Sequence, residues 1–103
     1  MAWLLLLLAG LLEIVWAYTM KLSDGFSQPI ASAVTLMAMI ASFALLSISM
    51  RSLPLGTAYT VWTGIGAVGA FGLGVIVLGE PLTMTRGLAA ALIVSGLILM
   101  KLA

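Results

Sequence analysis

The chain has 103 residues, of which 64% are hydrophobic and only 7% are charged. A soluble domain carries about 25% charged residues, so this sequence cannot cover a water-facing surface, and a net charge of +1 suggests no nucleic-acid partner. With neither Cys nor His, disulfides, thiolate metal sites and the side chain that most often titrates near neutral pH are excluded, and proton chemistry falls to carboxylates.

The first apolar run extends from about residue 2 to residue 20 and holds a single charged residue, Glu13. No basic segment opens it and Glu13 interrupts its apolar stretch, so it is expected to be a retained span and not a cleaved signal. Lys21 and the turn residues Ser23, Asp24 and Gly25 follow. A second span starts at Pro29, a favoured first helical position, and continues to about residue 50. Arg51 and Pro54 break the chain before a third span over about 55–78, which Gly79-Glu80-Pro81 terminates. The fourth span covers about 83–102, with Arg86 and Lys101 near its ends, where long basic side chains reach the interface.

At a rise of about 1.5 Å per residue each run meets the ~30 Å hydrocarbon thickness of a bilayer. A soluble four-helix bundle would need a polar face on every helix, and none of the runs has one. The expected fold is therefore all-α and integral to the membrane: one domain, residues 1–103, with four transmembrane helices.

Glu13 is the most informative residue. A carboxylate inside a span is costly and marks an ion or substrate pathway. On a helix it shares its face with Ala9, Gly10, Trp16, Ala17 and Met20. In the second span Thr35, Ala38, Ser42 and Ser49 form a small, hydroxyl-bearing stripe. In the third, Tyr59, Trp62, Thr63 and Gly66 form another, so three spans each present a face unsuited to lipid. Such a cavity fits a cation. Proton and cation compete for one carboxylate, which couples their movements. The rings of Trp16, Tyr59 and Trp62 can each add ~0.5–2 kcal/mol through their faces, and the hydroxyls of Ser42, Tyr59 and Thr63 can orient Glu13. Gly64 and Gly66, near the middle of the third span, are the expected hinge. Gly87, Ala91, Ser95 and Gly96 give a small-residue seam in the fourth span, assigned to dimerisation.

Basic residues in short loops set membrane orientation. Lys21 and Arg86 fall on one side of the membrane and Arg51 and Lys101 on the other. The tally is level, which is consistent with insertion in both senses. Four short helices cannot enclose a solute pathway alone, whereas two copies inserted oppositely supply the inverted symmetry that many transporters build from internal repeats. The expected assembly is an antiparallel homodimer of dual topology.

The chain resembles the small multidrug resistance transporters along essentially its whole length. The resemblance rests on four spans in about a hundred residues, the single Glu13, and the segment from Pro54 through Gly56, Tyr59, Trp62 and Gly64 to Gly66. The stretch Leu12-Glu13-Ile14-Val15-Trp16-Ala17 points to the guanidinium exporter subtype, because the multidrug subtype typically has a small residue in place of Trp16. The resemblance implies a transporter and not an enzyme: a proton-coupled exporter of guanidinium and small guanidinyl cations in the bacterial inner membrane, without cofactor or metal, working by alternating access. Glu13 would bind proton and substrate in turn, Trp16, Ser42, Tyr59 and Trp62 would line the site, and Gly96 would make the dimer contact. Ala89 departs from the glycine that many relatives carry there. Two other readings remain: a broad-specificity exporter of lipophilic quaternary ammonium cations, and a structural membrane subunit whose Glu13 only binds a partner helix.

Overall fold

The computed structural model describes all residues from Met1 to Ala103. It contains four helices and no strand: α1 (Ala2–Leu22), α2 (Pro29–Ser49), α3 (Leu55–Ile76) and α4 (Met84–Leu102). Each is long and apolar enough to cross a membrane, so the chain is a multi-pass membrane protein.

The helix ends differ from the apolar runs by a residue or two, for local reasons. Helix α1 carries Lys21 and Leu22 beyond the expected end because Ser23 stops it. The Ser23 hydroxyl donates to the Met20 carbonyl at 2.6 Å, and its oxygen accepts the Phe26 N–H at 3.1 Å. Asp24, Gly25 and Phe26 then pass through left-handed conformations, with φ between 49 and 72°. Helix α3 ends at Ile76 and not at Leu78, because Leu78 turns its N–H back to the Leu73 carbonyl and Gly79 adopts φ 70°. That left-handed step is open to glycine at little cost. Thr83 starts α4 as its N-cap, its hydroxyl accepting the Arg86 N–H at 3.1 Å.

The four helices form a body of 40 × 34 × 16 Å, in which α2 also touches α3. Helix α1 is its central member, packed on α2 along one flank and α3 along the other, while α4 packs its backbone on α3 alone. The core is correspondingly small: Leu6, Ala9, Leu46, Ala58, Val61 and Trp62. Helix α4 has no buried residue.

Glycines set the α1–α3 spacing. A Cβ on Gly10 would collide with Ile65, one on Gly66 with the Glu13 carboxylate, and one on Gly69 with Ile14. Close approach of the two backbones takes the place of side-chain interdigitation there, as is common where helices pack in lipid.

Candidate functional site

Glu13 lies on the flank of α1 that meets α3, partly buried, with its carboxylate against the backbone at Gly66. The absent side chain at Gly66 is what makes room for it. Its Oε1 atom is buried and has no hydrogen-bond partner, and the same holds for Nε1 of Trp16, one helical turn further on. An acceptor and a donor on one face of α1 are thus both unspent. In a protein where buried polar groups are nearly always paired, such a pair marks a place where something else binds or where a proton is held.

Ser42 of α2 is fully buried and joins three helices. Its hydroxyl donates to the Ala9 carbonyl of α1 at 2.7 Å and accepts the indole N–H of Trp62 from α3 at 3.0 Å. The stripe Thr35, Ala38, Ser42 and Ser49 is the buried face of α2, with Leu46 added. A second hydroxyl pair, Thr35 to Thr19 at 2.7 Å, ties α1 to α2 nearer the Lys21 end.

Four of the aromatic residues form one chain of contacts. Trp16 meets Phe43 edge-on at 6.3 Å between centroids, Phe43 meets Trp62 at 5.7 Å, and Trp62 meets Tyr59 at 5.6 Å. Phe43 is the residue that sequence reasoning missed. It is one apolar residue inside an apolar run, and only its place beside Ser42 sets it apart.

The α3 stripe divides. Trp62 and Gly66 face inward, Trp62 only 6% exposed and part of the core, whereas Tyr59 is 53% exposed and Thr63 is also exposed. Tyr59 and Thr63 border a separate groove of ≈ 520 Å³ between α3 and α4, which Gly64 and Gly96 also line. Thr63 therefore stands apart, within one chain, from both the Ser42–Trp62 hydrogen bond and the Glu13–Gly66 contact.

The expected hinge and seam residues have definite positions too. Helix α3 runs unbroken through Gly64 and Gly66; Gly64 receives the Leu97 side chain of α4 and Gly66 receives Glu13. On α4, Ala91 and Ser95 are exposed and linked by a hydrogen bond from the Ser95 hydroxyl to the Ala91 carbonyl at 2.8 Å. With Gly87 they follow one face at steps of four residues. Gly96 lies a further residue, about 100°, around the helix and borders the α3–α4 groove, so the four do not form one continuous seam in the single chain.

The Small Multidrug Resistance protein family matches residues 1–100. The chain belongs to that family. It is 54% identical to a guanidinium exporter of Yersinia pseudotuberculosis over 103 residues, all of this chain and 99% of the relative. It is also 54% identical to guanidinium exporters of Citrobacter freundii and Salmonella typhimurium over 102 residues, 99% of this chain and 97% of each relative.

Proposed function

We propose that this chain exports guanidinium and small guanidinyl cations in exchange for protons, by alternating access, as an antiparallel homodimer in the bacterial inner membrane. The observation that carries the proposal is the buried, unpartnered Glu13 oxygen, with an equally unpartnered Trp16 indole N–H one helical turn along α1. Guanidinium is flat and rich in N–H donors, and a carboxylate receives it through two parallel charge-assisted bonds. The aromatic faces of Trp16 and Trp62 then suit the flanks of a delocalised cation. The full-length likeness to guanidinium exporters supports the choice of substrate.

Coupling follows from occupancy. Glu13 holds either a proton or the cation, so a carboxylate that receives guanidinium releases its proton, and reprotonation expels the cation. The Ser42–Trp62 hydrogen bond holds the indole while Glu13 changes state. Glu13 and Trp16 are only partly buried within one chain, and a second copy inserted oppositely would supply a further wall for the site. Gly64 and Gly66 are the places where α3 could bend differently in the two copies. The exposed face of α4 bearing Ala91 and Ser95 is available for the contact between them.

The test is reconstitution in proteoliposomes, with currents recorded on adding guanidinium and then tetraphenylphosphonium. Guanidinium alone should evoke the larger response. In weakly buffered detergent, guanidinium should release protons from the wild-type chain, and Glu13→Gln should abolish both this release and transport while leaving the chain folded. Proton-driven transport retained by Glu13→Gln would remove Glu13 from its role. A response to the bulky ion only would favour a broad exporter of lipophilic cations, a reading to which the open groove beside Tyr59 and Thr63 lends some support.

A further inference from the structure

Where α1 and α3 end and α4 begins, a cavity of ≈ 360 Å³ combines apolar lining residues with three charged side chains. Its lining includes Tyr18 and Lys21 from α1, Phe71 and Gly74 from α3, Glu80 from the connection, and Arg86 from the first turn of α4. Lys21 lies eight residues beyond Glu13, about 12 Å along the helix axis, so this is a different place from the cation site. Three of the chain's few charged side chains gather around it.

Their fixed partners are mainly not one another. Arg86 donates from Nη1 to the Pro81 carbonyl at 3.1 Å, and its guanidinium lies 5.9 Å from the centroid of the Phe71 ring. The Glu80 carboxylate rests against the backbone at Gly74, where a Cβ would collide with it. The backbone holds it there: Gly79 turns at φ 70° and the Glu80 N–H bonds to the Gly74 carbonyl at 2.9 Å. A cation in the first turn of a helix also opposes the helix dipole, so the position of Arg86 gains nothing from α4 itself. The result is two cations and one carboxylate around a single cavity, with Leu73 and Leu78 supplying an apolar floor.

We propose that this cavity binds the headgroup of an aminophospholipid, with the phosphate between Lys21 and Arg86 and the primary ammonium on Glu80. Basic pockets between membrane helices take lipid phosphates, and both ions of a phosphoethanolamine headgroup find an opposite charge here. A headgroup with phosphate alone would bring its negative charge beside Glu80 with nothing to offset it. A choline headgroup has no N–H to donate to the carboxylate. The acyl chains would descend over the apolar floor along α1 and α3. This inference depends on the membrane setting of the chain and not on what Glu13 carries.

The experiment is native mass spectrometry of the full chain, purified in detergent and offered equal amounts of phosphatidylethanolamine, phosphatidylcholine and phosphatidylglycerol. The wild-type chain should retain phosphatidylethanolamine over the other two by about two- to fivefold, the equilibrium equivalent of one exposed ion pair. Glu80→Gln should remove the preference over phosphatidylcholine, while Lys21→Gln and Arg86→Gln should each weaken retention of all three lipids. An unchanged helical circular dichroism spectrum and unfolding midpoint in Glu80→Gln would establish that the variant is folded. Equal retention of the three lipids by the wild type, or a preference that survives Glu80→Gln, would overturn the proposal. Displacement of the lipid by soluble phosphoethanolamine at equal concentration would overturn the lipid as the source of the headgroup.

Discussion

Replacing Ser42 by Ala removes one oxygen from the place where three helices meet, and the cost can be worked from its two hydrogen bonds. The change strands the indole N–H of Trp62 and takes a donor from the Ala9 carbonyl. The carbonyl retains its second lone pair for its helical bond, so the stranded indole dominates. In soluble proteins a buried donor left unpaired costs about 1–3 kcal/mol. Between membrane helices the measured value averages about 0.6 and reaches about 1.7 kcal/mol, because the unfolded chain in lipid also finds partners. Ser42 has 0% of its surface exposed, which places it toward the upper part of that range. The expected loss is therefore about 1–1.5 kcal/mol, close to tenfold in the folding equilibrium. It is measurable by reversible unfolding in mixed micelles at fixed protein concentration. Trp62→Phe deletes the donor instead, and the double variant should recover about 1 kcal/mol relative to the sum of the single changes. Strict additivity, or a Ser42→Ala change within about 0.3 kcal/mol of wild type, would refute the hydrogen-bond account.

Two further substitutions separate packing from chemistry. Gly66→Ala puts a methyl group onto the Glu13 carboxylate, whereas Gly64→Ala meets only the flexible Leu97 side chain on an otherwise unburied helix. Overpacking costs about 1–3 kcal/mol; unfolding and guanidinium currents should both register it at Gly66 and much less at Gly64, and equal losses at the two positions would disprove the assignment. Trp16→Gly removes an aromatic face worth ~0.5–2 kcal/mol to a bound cation. The ratio of guanidinium to tetraphenylphosphonium currents should fall by roughly two- to thirtyfold, and an unchanged ratio would take selectivity away from Trp16.

The long, almost uncharged runs were enough to find the four helices, because such runs in a chain of this length have no other stable home. Their ends were harder to read: Ser23 and Gly79 decide them through hydrogen bonds and a left-handed turn that apolar counting does not register. The buried face of α2 was visible because hydroxyl and small residues at steps of three, four and seven stand out against an apolar background. The α3 stripe divides within the single chain. Residues 59, 62, 63 and 66 cover an arc of about 100°, enough for Trp62 and Gly66 to face α1 while Thr63 looks outward. The same single-residue step separates Gly96 from Ser95. Nothing in the glycine pattern said that Gly66 would lie against Glu13, since spacing reveals that helices approach closely but not which neighbour fills the gap.

The central place of α1 has a consequence for how the chain assembles. Helix α1, which precedes the other three in the chain, packs on both α2 and α3. Once α2 has emerged, the Ser42 hydroxyl can already reach the Ala9 carbonyl, but its indole partner and the glycine groove for Glu13 arrive only with α3. During that interval an acidic side chain faces acyl chains with no cover. The half-made hairpin is therefore the most vulnerable stage of biogenesis, the stage at which a membrane protease or insertase would find most to recognise.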